Sequence, residues 1–330
     1  MASTTFEVEL EGPLDLLSSL EIFRRSGDDL IDRFDGACAV RTTRINGRAV
    51  PYAARISGDV DHPRLRVTIP SGRDRKMVEQ ALRAAFLPLT REFEELCSRD
   101  PAIARLARLH RGFRPVMQSD LFGALIRCVS AQQVNLKWAS TVRRRLAESF
   151  GRPHRVGGHI VYSLDAERIA ALKAADIRAL QFTNRKSEYV VNVARAIASG
   201  ELSIELFTTL SDDDVIARVT AVRGLGLWSA EWILARTLGR PRVSAFDLGV
   251  RKAVGKLYFG GRMPSPDEVR DATVHWGGGS AMAQGLILHA QHEHTLEAAP
   301  AKRIVAPTAK RTRPFQRRRR VPENQATRSP

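Results

Sequence analysis

Apolar and polar positions alternate at the start of the chain. Phe6, Val8 and Leu10 interleave with Thr5, Glu7 and Glu9, the period of a strand with one buried face. Pro13 opens a helix to about Arg25, which Gly27 can end. Two strand-like runs, 37–45 and 48–56, flank Asn46 and Gly47, the pair of residues best suited to a two-residue hairpin turn. A further strand over 65–69 precedes a helix over 74–86. The pattern predicts a small antiparallel sheet with two helices in residues 1–112. Tyr52, His62 and Arg44 read there as sheet or surface positions rather than as a site.

From Ser119 onward the period becomes helical. Leu121, Phe122, Leu125, Ile126 and Val129 form an apolar stripe that breaks at 130–135 and resumes over 136–150, with Gly151 as the stop. Leu180, Gln181, Arg185 and Lys186 lead into an amphipathic helix that ends near Ala198. Ser211 and Asp214 form a capping-box start, and Val215, Ile216, Val219 and Val222 supply one apolar face. Gly224 and Gly226 then leave only a short connection before a second helix, which Gly239 and Pro241 end. The chain re-emerges through Val243 and Phe246 to a lone acid, Asp247, before a helix over 248–258. The expectation is an α+β protein: residues 1–112 an antiparallel-sheet domain, 113–297 a helical domain, and 298–330 a basic tail without a core.

Composition adds a partner class. The chain has 330 residues and a formal net charge of +16, an excess that points to a polyanion. Ten Lys or Arg against the single acid Glu323 lie after Pro300, so the body is only moderately basic. Arginine outnumbers lysine throughout, which makes single arginines weak functional signals. Three scattered cysteines, Cys38, Cys97 and Cys128, give neither a disulfide framework nor a metal motif. With no leader and no apolar run of membrane length, the chain is expected to be a soluble, cytoplasmic, nucleoid-associated monomer that does not bind membranes. His289, His292 and His294 read as a polar, frayed helix end rather than converging ligands.

The chemistry concentrates between 210 and 251. Gly224 and Gly226, followed by the unpaired amides of Leu227, Trp228 and Ser229 at a helix start, suit the approach of a phosphate. Trp228 and Trp232 lie four apart on one helical face, open to reading as core or as an aromatic pocket. Asp247 reads as the N-cap of the helix that follows, as a reactive carboxylate, or as both. Gln132 and Gln133 stand at a helix break, either a solvent-facing joint or a polar plug.

This order of parts resembles the helix-hairpin-helix (HhH-GPD) DNA glycosylases, and in particular the bacterial 3-methyladenine DNA glycosylase II family, over roughly residues 5–295. The resemblance implies base-excision repair of double-stranded DNA: an N-glycosylase that flips out an alkylated purine of the 3-methyladenine or 7-methylguanine type and hydrolyses its bond to deoxyribose. It implies Asp247 as the catalytic acid, Trp228, Trp232 and Trp276 as the base pocket, and Gln133 as the wedge in the vacated stack. Gln132, Gly224, Gly226, Ser229, Arg185 and Lys186 would contact DNA. Backbone carbonyls of Val222 and Gly224 would hold a monovalent cation, with no other cofactor required. Family members that also cut the strand place a lysine where Trp228 stands, so a monofunctional enzyme is expected. No cysteine follows Cys128, so no iron-sulfur cluster is expected. Two departures stand out: Gln181 replaces a glycine of the family's first short hairpin, and Gly278, Gly279 and Ser280 replace a Pro-Trp-Arg run after Trp276. The rival readings are a glycosylase for oxidised or deaminated bases and a DNA-binding protein that keeps the hairpin without catalysis.

Overall fold

The computed structural model describes residues 3–296, and the basic tail expected at 298–330 lies outside the described residues. Strand β1 (Thr4–Glu9) is followed by α1 (Leu16–Arg25), β2 (Arg33–Phe34), β3 (Cys38–Ile45), β4 (Arg48–Gly58) and β5 (Pro63–Ile69). The strands form one antiparallel sheet in the order β1-β5-β4-β3-β2. Phe6 pairs with Val67 and Val8 with Leu65, so the alternating apolar set of β1 falls on one face. Asn46 and Gly47 take φ of 50° and 75° between the paired Ile45 and Arg48, the left-handed pair a two-residue turn requires.

That apolar face packs against α1 and α2 (Arg75–Arg83), with Leu20, Phe23, Val78 and Leu82 in the shared core. Two more helices follow, α3 (Arg91–Arg99), capped by Thr90, and α4 (Pro101–Leu109), capped by Asp100 with Pro101 in its first turn. Although they precede residue 113, their apolar faces join the core of the C-terminal helices: Phe93, Leu96, Ile103 and Leu106 cluster with Val250, Val254, Trp276 and Leu286.

The helical region opens with α5 (Leu121–Ala131) and α6 (Leu136–Phe150). The chain then departs from the helical expectation and makes a hairpin of β6 (Arg152–Val156) and β7 (His159–Ser163). Val156 and Val161 of this hairpin close over Cys38, Val40 and Ala53, on the second face of the large sheet. The strands are five residues each and Ile160, Val161 and Tyr162 run together without alternating, so the strand period is weak. The turn residues Gly157 and Gly158, both at positive φ, are its one clear mark in the sequence. Short helices α7 (Ala166–Ala170) and α8 (Ala174–Arg178) lead to α9 (Asn184–Ala198), α10 (Ile204–Thr209), α11 (Asp212–Ala221) and α12 (Leu227–Arg236). Their core joins Leu125, Ile126 and Val129 of α5 to Val190, Val215, Val219, Ile233 and Leu234. The last helices are α13 (Leu248–Tyr258), α14 (Pro266–Thr273) and α15 (Ser280–His292).

A buried ion network ties the sheet region to the helices. Asp29 meets Arg127 and Arg143, each at 2.9 Å, and Asp32 meets Arg41 and Arg127. Burial alone would push both carboxyls up, but the arginines beside them hold both below the ordinary carboxylate range.

Candidate active site

Ser211 starts α11 by accepting the amide of Asp214, and the helix ends at Val222, where the chain turns. Gly224 has φ of +108°, and a Cβ there would lie 2.2 Å from the Tyr189 ring. The turn therefore excludes any other residue on both conformation and space. Gly226, the N-cap of α12, has extended backbone and nothing within 4 Å of an added Cβ, so its outer side is open. Behind it, first-turn amides of α12 lack intrahelical acceptors. The hairpin thus presents backbone donors on an uncovered surface, the arrangement that receives an anion.

Trp228 and Trp232 are half-buried one turn apart on α12, their rings stacked with centroids 6.1 Å apart and planes 20° apart. Arg236 stands over the Trp232 ring at 5.7 Å. Trp228 Nε1 donates to Asp247 Oδ2 at 2.9 Å. Asp247 Oδ1 accepts the amide of Val250 at 2.9 Å and caps α13. Both sequence readings of Asp247 therefore hold together: it is a helix cap and a carboxylate presented to an indole pair. Gly249 leaves room for it, since a Cβ there would lie 3.0 Å from Asp247 Oδ1.

The strand leading to Asp247 is pinned from beneath. Gln284 Oε1 accepts the Ser244 amide at 2.6 Å. Glu231, fully buried on α12, faces Arg270 at 3.3 Å and Arg242 at 3.8 Å. Burial pushes its carboxyl up from the ordinary range, against the pull of the two arginines. Arg270 also lies over the exposed ring of Phe246 at 5.2 Å. Sequence reasoning missed Glu231 and Gln284, because a single acid or amide within a helical run carries no periodic mark. Their pairing with the loop arises only in three dimensions.

The structure places the remaining expected residues unevenly. Gln133 is exposed at the end of α5 with φ of 54°, a strained conformation for a residue with a side chain. Gln132 does not face outward: its Nε2 donates to the carbonyl of Gly224 at 2.8 Å. Lys186 is likewise engaged, its Nζ donating to the carbonyl of Ser130 at 2.9 Å, and burial lowers its pKa. Arg185, one residue before it, remains exposed. Gln181 adopts φ of 70°, so the missing glycine of the first short hairpin is replaced by a strained glutamine whose side-chain oxygen is held by Arg145.

The expectations for Trp276 and His289 are corrected. Trp276 has no exposure: it sits in the core under α3, and its Nε1 donates to Tyr258 Oη at 3.1 Å, so it offers no face to an incoming base. The Ser229 side chain is buried beside Cys128, which leaves its backbone amide, at the start of α12, as the group expected to meet a phosphate. His289 is not at a frayed end: it is buried and stacked on Phe113 at 4.1 Å, which pushes its pKa down to about 3. The carbonyls of Val222 and Gly224, expected to hold a monovalent cation, each accept one hydrogen bond. Val222 O accepts the Leu225 amide at 3.0 Å, and Gly224 O accepts the Gln132 amide at 2.8 Å. A carbonyl oxygen has two lone pairs, so one stays open on each.

A sheet domain beside a helical one, a glycine hairpin that opens its outer side, and an acid capping the helix after it define the helix-hairpin-helix glycosylase class of fold. Residues 126–277 match the family described as HhH-GPD superfamily base excision DNA repair protein. The chain is 33% identical over 186 residues to a Bacillus subtilis protein named DNA-3-methyladenine glycosylase, covering 56% of this chain and 61% of the relative. It is 28% identical over 182 residues to DNA-3-methyladenine glycosylase 1 of Schizosaccharomyces pombe, covering 54% of this chain and 76% of that one. The chain thus spans about three fifths of the length of the Bacillus subtilis relatives it matches. A solved 3-methyladenine DNA-glycosylase from Archaeoglobus fulgidus shares the fold over 88% of this chain and 99% of its own, with a TM-score of 0.75 at 23% identity.

Proposed function

We propose that this protein is a monofunctional DNA N-glycosylase of base-excision repair that releases alkylated purines, of the 3-methyladenine or 7-methylguanine type, from double-stranded DNA. The observation that carries the reading is the contact between Trp228 and Asp247, which sets a carboxylate at the edge of a stacked indole pair. The names of the relatives support the substrate class.

The chemistry follows from the geometry. As the glycosidic bond stretches, C1′ of the deoxyribose becomes positively charged, and a carboxylate beside it stabilises that charge most where water is excluded. Asp247 supplies the carboxylate, and Trp228 and Val250 hold its two oxygens by hydrogen bonds. The bond is out of reach inside a stacked duplex, so the nucleotide must leave the stack. The hairpin at Gly224 and Gly226 grips the backbone while Gln133 enters the gap. An alkylated purine is cationic, and the indole faces of Trp228 and Trp232 attract it. Because Trp228 occupies the place of a Schiff-base lysine, the product is an abasic site. The protein works as a monomer, without a cofactor, on DNA in the cytoplasm.

The test is release of free base from duplexes that each carry one lesion, separated by chromatography. Release of 3-methyladenine or 7-methylguanine by the wild type is expected. Release of oxidised or deaminated bases alone would move the protein to another substrate class, and release from no lesion would refute the enzyme.

A further inference from the structure

The turn that bears Gln133 is fastened to the rest of the protein at three points. Gln132 Nε2 donates to the carbonyl of Gly224, in the hairpin, at 2.8 Å. Lys186, at the start of α9, donates to the Ser130 carbonyl at 2.9 Å, and Arg143 donates to the Ser130 hydroxyl at 2.9 Å. Arg143 is itself part of the buried pair with Asp29. After the turn, Asn135 caps α6 by accepting the Trp138 amide at 2.8 Å. Between these anchors only Gln133 and Val134 have no fastening of their own. Gln133 nevertheless holds φ of 54°, a conformation that costs a side-chain-bearing residue roughly 1 kcal/mol.

We infer that Gln132 is a positioning residue that joins the Gln133 turn to the DNA-gripping hairpin as one rigid unit. The inference rests on the proposed DNA-glycosylase reading. Gly224 is packed so closely against Tyr189 that not even a Cβ fits behind it. A bond to its carbonyl therefore gives the turn a fixed reference. Gripping the backbone at the hairpin then sets where Gln133 stands relative to the gripped strand. Without the bond, the wedge keeps its chemistry and loses its register. Lys186 supports the same turn from α9 and, being half-buried, acts there rather than at a phosphate.

The role separates from general folding by its dependence on stacking. In Gln132→Leu, single-turnover release of a lesion paired in duplex DNA is expected to slow about tenfold, the scale of one lost hydrogen bond. Release of the same lesion placed opposite an abasic-site analogue, where less pairing must be broken, is expected to change less than about twofold. Gln132→Glu, which sets a carboxylate against the Gly224 carbonyl, is expected to behave like the leucine variant. Equal slowing on both substrates, or no slowing on either, would overturn the inference. Hydrogen exchange of free wild type and Gln132→Leu tests the same bond without any reaction. Exchange across 131–135 is expected to speed up at least about fivefold while 215–222 is unchanged; identical exchange overturns the tether even if the wild type proves inert. A wild type that releases no base but shows the exchange difference would refute the glycosylase reading and leave the tether standing.

Discussion

Trp228 Nε1 lies 2.9 Å from Asp247 Oδ2 and donates to it, while Oδ1 of the same carboxylate accepts the amide of Val250. Two neutral donors from two helices fix the acid in plane and rotation. Trp228→Phe keeps the ring beside Trp232 and removes one donor. Its single-turnover rate is expected to fall about tenfold to a hundredfold with little change in duplex affinity, since a hydrogen bond to a charged group is worth about 1.5 to 3 kcal/mol. An unchanged rate would show that the indole serves only to stack.

The same residue forbids lyase chemistry. An indole nitrogen has no basic lone pair and cannot form a Schiff base with the opened sugar. Incubation with a lesion duplex and borohydride is expected to trap no covalent complex, and strand breaks should appear only after hot alkali treatment. A trapped complex would contradict the assignment of Trp228.

The link between the sheet and the helices depends on Asp29. Its carboxylate is buried and meets Arg127 and Arg143, so Asp29→Ala leaves the buried Arg143 without its acid and Arg127 with Asp32 alone. The variant is expected to lose about 3 to 5 kcal/mol at pH 7 by denaturant unfolding. Because its pKa is held below the unfolded value, the contribution of Asp29 is fully present above about pH 4 and fades as pH falls through the folded pKa. The gap between variant and wild type should narrow there. A gap that widens on acidification would reverse the sign of the argument.

His289 gives a second pH effect at milder acidity. Burial against Phe113 keeps it neutral, with its pKa lowered to about 3, whereas the unfolded residue titrates near about 6.5. Between those values the unfolded chain binds the extra proton, so stability from this residue is full above about pH 6.5 and declines below it. Melting of the wild type should fall between pH 6.5 and 5, and His289→Leu should flatten that slope. Equal slopes would show that His289 titrates normally in the fold.

Much of this was legible in the chain because local signals and tertiary structure agree. The period of β1, the Asn46-Gly47 turn, the Ser211 cap and the hairpin glycines each specify backbone within a few residues, and each recurs in the fold. The β6–β7 hairpin was not read, since only Val156 and Val161 of its ten residues reach the apolar contact with the large sheet. Trp276 shows the other limit. An aromatic at a family position looks like a pocket wall until the packing of α3 over it makes it core. Gln132 and Glu231 are the same problem in polar form, because their meaning depends on a partner 92 residues away in one case and on two arginines from other segments, Arg242 and Arg270, in the other.

The central claim is that the charge of Asp247 drives bond breaking. Asp247→Asn tests it most directly, because asparagine is an equally good N-cap whose Oδ1 still accepts the Val250 amide, so the fold survives; its Nδ2 cannot accept from Trp228, and Trp228→Phe measures the loss of that contact separately. Single-turnover release of 3-methyladenine or 7-methylguanine from duplex DNA is expected to drop by at least about a hundredfold, with affinity for that duplex within about twofold of wild type. Release within a few-fold of the wild-type rate would contradict the account.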